Sequence, residues 1–236
     1  ALQEKYLPSD MELIYYNTPA ADEAEKCQRI AGADCGMLAN SPLPALVLAS
    51  NEQLKFLSVA FTGVDHVAMD YCHDKDIVVS NCSGYANEAV SELAIGLAIS
   101  LYRKLQACDY AVRNGRTRTG LLGLELSGKK FGIIGAGAIG LATARLAKAF
   151  GCEIYIYSRT KKNIEGVHFV SLDELLVEAD ILSLHIPLTE ATRSMIGAAE
   201  LSKMKKTAIL INTARGPVVD SKALKDALAE GRISGA

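Results

Sequence analysis

The sequence predicts an α/β protein whose second half forms a doubly wound parallel sheet. Short apolar runs alternate with stretches of helical periodicity along most of the chain. A glycine-rich turn at 135–140 joins one such run to a helix. The chain has 236 residues, 50% of them hydrophobic and 22% charged, which suffices for two domains with their own cores.

The first third of the chain predicts a small layer of strands and helices. Strands are predicted at 11–16, 35–40, 55–61 and 76–81, and helices at 21–31 and 44–53. In the next segment, 87–115, apolar residues recur at steps of three and four. This spacing predicts one long buried helix with at most a kink. The stretch 116–129, with its glycines and threonines, predicts a loop.

The second half alternates more regularly. Strands are predicted at 130–135, 152–158, 180–186 and 207–214, and helices at 138–151, 172–179, 198–204 and 221–231. Ser171 and Glu174 have the spacing of a capping box at the start of the second of these helices. Strand–helix alternation at this pitch predicts a doubly wound sheet.

Composition narrows the classes of function. The net charge is −2 and there is no basic stripe, so we expect no nucleic-acid partner. No apolar run approaches ~18 residues, so we expect no membrane association through a spanning helix. The six cysteines show no C-x-x-C pair and no metal-ligand spacing. Together with the lack of a signal-peptide pattern, this predicts reduced thiols, no metal and a cytoplasmic location.

The glycine turn predicts a dinucleotide site in a Rossmann domain. Its residues are Gly135, Gly137 and Gly140, with Ala138 and Ile139 opening the helix. Gly135 allows a tight turn, Gly137 lets the backbone approach a pyrophosphate, and Gly140 lets the helix pack close to the strand. The motif follows a predicted strand and opens a predicted helix, which is the context that makes it specific. Backbone N–H groups of Ala138 and Ile139 would face the phosphates.

The end of the following strand favours NADP over NAD. NAD-binding domains place an Asp or Glu there to bond the ribose hydroxyls. This chain has Ser158, Arg159 and Thr160 instead, two hydroxyls and a guanidinium that suit a 2′-phosphate. An alternative is that Arg159 only stacks on adenine and either cofactor binds. Lys161 and Lys162 add positive charge nearby, although such residues are more often solvated.

Five ordered motifs together resemble the D-isomer-specific 2-hydroxyacid dehydrogenase family. They are FTGVDHV (61–67), NEAVSELAIGL (87–97), LSGKKFGIIGAGAIG (126–140), HIPLTEATRSMI (185–196) and INTARGPVVD (211–220). The resemblance implies a flavodoxin-like α/β substrate domain at 1–85, incomplete here. It also implies an NAD(P)-binding Rossmann domain at 86–236 that includes an interdomain helix.

The resemblance also implies roles for single residues. Arg215 would hold the substrate carboxylate and polarise the 2-oxo group, a task that suits a planar and permanently charged side chain. Thr62 and Gly63 would hold the carboxylate through backbone N–H groups, and Thr62 would also approach the nicotinamide. Ile186 and Thr213 match positions that line the nicotinamide ribose.

The family's catalytic glutamate and histidine fall beyond Ala236, so we expect this chain to be part of a longer protein. Four histidines lie within it: His66, His73, His168 and His185. We consider His185 as a substitute proton donor, although a packing or supporting role is the more natural interpretation.

The function predicted is hydride transfer between NADPH, or NADH, and a small 2-oxo acid, with glyoxylate or hydroxypyruvate as first candidates. The family implies a homodimer, and the loop at 115–128 is the candidate dimer arm. One alternative is a cofactor-sensing binding module similar to the family's corepressors. Another is a dehydrogenase of the formate or phosphite type, which shares the fold and the arginine.

Overall fold

The computed structural model describes residues 8–236, which fold as two compact units divided between Ser83 and Gly84. In the first unit, α1 is Glu23–Ile30, β1 is Cys35–Leu38, α2 is Ala45–Ala49, β2 is Phe56–Val59, α3 is Met69–Asp74 and β3 is Val78–Asn81. The three strands are parallel in the order β1-β2-β3. Val47, Leu48, Leu57 and Val59 lie at the centre of their core.

The first unit differs from the prediction in its N-terminal segment. The predicted strand at 11–16 is wrong: the segment has no regular secondary structure and pairs with none of the strands that the structure describes, and Ile14 and Tyr15 are about two-thirds exposed. An extended segment becomes a strand only when its backbone pairs with a neighbour, and alternation cannot supply that neighbour. The three described strands of this unit lie in chain order. The flavodoxin-like arrangement that the family resemblance implies stays a prediction. Helix α3 was not predicted.

The second unit begins with two helices, α4 (Asn87–Tyr102) and α5 (Leu105–Arg113), so the predicted single helix at 87–115 is wrong. Lys104 adopts a left-handed conformation with φ 53°, which ends any continuous helix. The carbonyl oxygen of Tyr102 accepts a hydrogen bond from the N–H of Leu124 at 2.8 Å. A tertiary contact therefore terminates α4, and the helix-forming propensity of the local sequence gives no sign of it.

The rest of the second unit is the doubly wound sheet. Its strands are β4 (Lys130–Ile134), β5 (Glu153–Tyr157), β6 (Val167–Phe169), β7 (Ile181–Leu184) and β8 (Ile209–Asn212), and its helices are α6 (Ala138–Ala149), α7 (Leu172–Glu178), α8 (Ala198–Lys203) and α9 (Ser221–Ala229). All neighbouring strands are parallel, in the order β6-β5-β4-β7-β8. The short strand β6 was not predicted. The Ser171 side chain accepts the N–H of Glu174 at 3.2 Å, as the capping pattern predicts.

Separate cores lie on the two faces of this sheet. On one face, Phe131, Ile133 and Ile154 pack with Ala94 of α4 and Ala147 of α6. On the other, Ile134, Leu182 and Leu210 pack with Leu175 of α7, Leu201 of α8 and Ala227 of α9. Helices on both faces of a parallel sheet confirm the predicted fold class. In the described part of the chain, no helix is both long and apolar enough to cross a membrane.

Candidate nicotinamide-nucleotide site

The strand order reverses between β4 and β7. From β4 the chain moves outward to β5 and β6 and then returns to add β7 and β8 on the other side. Ligands of open α/β sheets bind at such a reversal. Ile134 is in register with Tyr157 of β5 and Leu184 of β7, and Leu184 is in register with Asn212 of β8. The residues after these four therefore share one edge of the sheet.

Gly135 and Gly140 shape the turn after β4. Gly135 has φ 107°, and a Cβ there would strike the carbonyl oxygen of His185 and lie 2.8 Å from Cγ2 of Ile186. A Cβ at Gly140 would strike the carbonyl oxygen of Gly135. Side chains at either place would force the turn and α6 apart. The close approach of helix and strand expected from the motif is therefore present.

The N-terminus of α6 opens onto free space. Gly137 is its N-cap with extended backbone, no side chain of the described residues caps it, and a Cβ there would meet nothing within 4 Å. Ala138 and Ile139 form the first turn, whose N–H groups lack partners within the helix. Backbone donors at a helix N-terminus beside an open space suit a pyrophosphate, so this part of the chain fits a dinucleotide cofactor.

The end of β5 carries the residues predicted to meet the adenosine ribose. Ser158 is half-buried, and Arg159 and Thr160 are exposed. The loop is linked to the glycine turn because the Lys162 ammonium donates to the carbonyl oxygen of Ala136 at 3.1 Å. Sequence reasoning left Lys162 as a solvated charge, since side-chain reach across a loop has no sequence signal.

His185 follows β7 and is held neutral. Burial lowers its pKa to about 4, and its Nε2 lies 2.9 Å from the hydroxyl of the buried Ser183. A general acid at neutral pH must carry the proton that it donates. The geometry therefore argues against His185 as a substitute proton donor and favours a packing role. The side chain of Ile186, the next residue, borders the glycine turn, because its Cγ2 would lie 2.8 Å from a Cβ at Gly135.

The loop after β8 presents Arg215 and is shaped by Asn212. The Asn212 side chain donates to the carbonyl oxygen of Arg215 at 2.9 Å and accepts the N–H of Ala214 at 3.1 Å. Both ends of the Asn212 amide are thus used to fold 212–215 into a turn. Thr213 lies inside this turn, and its buried Oγ1 has no hydrogen-bond partner among the described residues. Sequence reasoning did not identify Asn212, although an asparagine at a strand end is a signal for such a turn.

Thr62 and Gly63 belong to the first unit and follow β2. The Thr62 carbonyl oxygen accepts from the Asn81 side chain at 2.6 Å, and the Thr62 hydroxyl lies 3.4 Å from the carbonyl oxygen of Cys82. These contacts tie the loop to the end of β3. Nε2 of His66, in the same segment, is buried without a hydrogen-bond partner among the described residues. Asn81 was not identified from the sequence.

The structure thus gathers one group of predicted residues at the carboxyl edge of the five-stranded sheet. This group comprises Gly135, Gly137, Ala138, Ile139, Gly140, Ser158, Arg159, Thr160, Ile186, Thr213 and Arg215. Within the described residues no cluster of His, Cys, Asp and Glu suits a metal ion. The fold and the edge together define a domain that binds a nicotinamide nucleotide.

Comparison with known proteins identifies the family. Residues 95–236 match the model of the D-isomer specific 2-hydroxyacid dehydrogenase NAD-binding domain. A glyoxylate reductase of Aeropyrum pernix is 39% identical over 99% of this chain and 70% of its own length. The chain therefore belongs to the D-isomer-specific 2-hydroxyacid dehydrogenase family.

Two solved structures agree with this assignment. An acyclic imino acid reductase in complex with NADPH and D-Arg superposes with a TM-score of 0.88 and 32% identity, covering 94% of this chain and 72% of that one. A D-lactate dehydrogenase of Aquifex aeolicus, complexed with NAD and lactic acid, has a TM-score of 0.85 and 33% identity, covering 89% and 65%. The chain spans 61–70% of the length of the first four curated relatives that it matches.

Proposed function

We propose that the protein is a reductase that transfers hydride from NADPH to a small 2-oxo acid and yields a D-2-hydroxy acid. The observation that carries this proposal is the shared sheet edge. It brings Arg215, fixed by Asn212, to the same side as the open N-terminus of α6. A guanidinium beside a dinucleotide cradle suits an anionic substrate with a reducible carbonyl.

Different residues of the chain would bind the cofactor and the substrate. Ala138 and Ile139 would hold the pyrophosphate through backbone N–H groups. Thr213 Oγ1, which has no hydrogen-bond partner among the described residues, would form a hydrogen bond with the bound cofactor. Arg215 would pair with the substrate carboxylate and stabilise negative charge that develops on the carbonyl oxygen. In the first unit, Thr62 and Gly63 would offer backbone N–H groups to a substrate carboxylate. The bound nicotinamide supplies the hydride, and positioning is the task of the protein.

NADP is the preferred cofactor in this proposal. No carboxylate occupies 158–160, and Ser158, Arg159 and Thr160 offer hydroxyl and guanidinium donors at the end of β5. A carboxylate there would repel a 2′-phosphate, whereas a guanidinium attracts it. The two structural relatives contain NADPH and NAD respectively, so both cofactors occur among similar folds.

Glyoxylate is the substrate that we propose first, because a similar protein of A. pernix is named glyoxylate reductase. The proton for the carbonyl oxygen would come from a group other than His185, whose lowered pKa leaves it neutral. We further propose that the unit up to Ser83 is the substrate domain and that the unit from Gly84 is the cofactor-binding domain.

A homodimer through 115–128 belongs to the same proposal. Leu122 is 89% exposed, and Val112 and Tyr110 on the preceding helix α5 are also exposed. Exposed apolar side chains on one helix and the adjoining loop favour an interface. Light scattering should give twice the mass of the chain, and Leu122→Glu should give the single mass.

The proposal is tested by following NADPH oxidation at 340 nm with glyoxylate, hydroxypyruvate and pyruvate. We expect turnover with at least one of these acids and a large loss of kcat/KM in Arg215→Gln. Arg193→Gln, a control in the same unit, should retain activity. NADPH binding without turnover by any 2-oxo acid would instead fit either the cofactor-sensing module or a fragment that lacks the proton donor. NADP reduction by formate or phosphite alone would favour that type of dehydrogenase.

A further inference from the structure

We propose that Lys162 is a specificity-determining residue that binds the 2′-phosphate of NADP. This inference rests on the proposed function, and it assigns a role to a residue that the family motifs leave out. Its basis is one contact, the hydrogen bond from the Lys162 ammonium to the carbonyl oxygen of Ala136 at 3.1 Å.

The position of that carbonyl makes the contact informative. Ala136 lies in the glycine turn between Gly135 and Gly137, and the N–H of Gly135 donates to the carbonyl oxygen of Tyr157, the last residue of β5. The glycine turn and the end of β5 are therefore joined at this point. In dinucleotide-binding domains the adenosine ribose lies beside these two segments. The contact with Ala136 places the Lys162 ammonium beside the glycine turn.

The Lys162 ammonium can donate further hydrogen bonds. A lysine carries three N–H donors, and the contact with Ala136 uses one of them. Two remain for the oxygens of a phosphate placed beside Arg159 and Thr160. A hydrogen bond between two charged groups is about twice as strong as one between neutral groups, so a 2′-phosphate gains more than a ribose hydroxyl.

The loop that carries Lys162 is fixed at a second point. The ammonium of Lys148, on α6, donates to the carbonyl oxygen of Glu165 at 3.0 Å. Two lysine side chains thus link the loop to the glycine turn and to α6. A donor that is already in place loses little conformational entropy when it binds, which favours affinity.

Lys161 provides a matched control. It is the adjacent residue with the same side chain, and it is exposed without a hydrogen bond or ion pair to any residue that the structure describes. If net charge near β5 were all that mattered, the two lysines would contribute equally. The geometry requires that they differ.

The experiment measures binding of adenosine 2′,5′-bisphosphate and adenosine 5′-monophosphate by isothermal titration calorimetry. It uses the wild-type protein, Lys162→Met, Lys161→Met and Lys162→Arg. We expect Lys162→Met to weaken the bisphosphate about tenfold or more, as loss of a charge-assisted hydrogen bond does. The monophosphate should change by less than about twofold, and Lys161→Met should change neither ligand by more than about threefold. Lys162→Arg should keep most of the preference.

Each other result has a distinct meaning. Equal losses of bisphosphate affinity in Lys162→Met and Lys161→Met would overturn the proposal and indicate a general effect of positive charge. Equal losses of affinity for both ligands in Lys162→Met would also overturn it and indicate that Lys162 only supports the glycine turn. A wild-type protein that prefers the bisphosphate, with no change in Lys162→Met, would overturn it while leaving the NADP assignment standing. A wild-type protein without any preference would contradict the NADP assignment itself. Thermal unfolding of each variant serves to check that it is folded.

Discussion

Alanine at Gly137 and at Gly140 should separate cofactor binding from stability. A methyl group at Gly140 would overlap the carbonyl oxygen of Gly135 and lie 3.4 Å from Cβ of His185, so α6 or the turn must move. Because the overlap is with a backbone oxygen that cannot rotate away, the cost belongs in the upper part of the overpacking range, about 2–3 kcal/mol, and the helix propensity of alanine returns about 1 kcal/mol. The net loss of about 1–2 kcal/mol corresponds to a decrease in Tm of about 2–8 °C for a unit of this size.

Gly137→Ala should behave in the opposite way. Its backbone is extended, and a Cβ would meet nothing within 4 Å, so the unfolding free energy should change by less than about 1 kcal/mol. The same methyl group would stand in the space before the N-terminus of α6, where the pyrophosphate is proposed to lie. We expect NADPH to bind at least about tenfold more weakly, a loss of about 1.4 kcal/mol.

The assay combines thermal unfolding by circular dichroism with NADPH titration by fluorescence on both variants and the wild type. The reasoning is refuted if Gly137→Ala binds NADPH as the wild type does. It is equally refuted if Gly140→Ala keeps the wild-type Tm, because the overlap with Gly135 would then have no consequence.

Three further predictions concern single side chains. The unfolded chain protonates His185 near its ordinary pKa of 6.5, whereas burial delays this to about 4 in the folded protein. The unfolding free energy should therefore decrease as pH falls from 7 towards 4, and urea titrations should show a shallower decrease in His185→Asn. Asn212→Ala removes both side-chain bonds that Asn212 makes in the 212–215 turn, so kcat/KM should fall by about tenfold or more; NADPH should also bind more weakly, because Thr213 lies in the same turn. Ser171→Ala removes the cap of α7 and should cost about 1 kcal/mol in urea unfolding, with no effect on NADPH binding.

Periodicity and punctuation predicted most of the second unit because its elements obey local rules. Apolar runs became β4, β5, β7 and β8, and the Ser171 pattern marked the start of α7. The two wrong predictions depend on distant partners. The segment 11–16 has no pairing strand among the described residues, and α4 ends where the N–H of Leu124 bonds the carbonyl oxygen of Tyr102.

The candidate site shows the same division. Motifs indicated Gly135 and Arg215 because their chemistry depends on residue type and order. Asn212 folds its own turn, for which an asparagine at a strand end is a local signal that was missed. Asn81 and Lys162 instead reach backbone carbonyl groups 19 and 26 residues away in the chain. Such contacts depend on tertiary distances, so sequence spacing could not identify them.

The most direct test of the account is a fluorescence titration of the protein with NADPH and with NADH under identical conditions. The account predicts saturable binding of both, tighter for NADPH, and a loss of this preference in Arg159→Glu, because a carboxylate would then face the 2′-phosphate. Absence of binding by either nucleotide would contradict the site at the sheet edge. Tighter binding of NADH would contradict the role given to the end of β5 while leaving the family assignment in place.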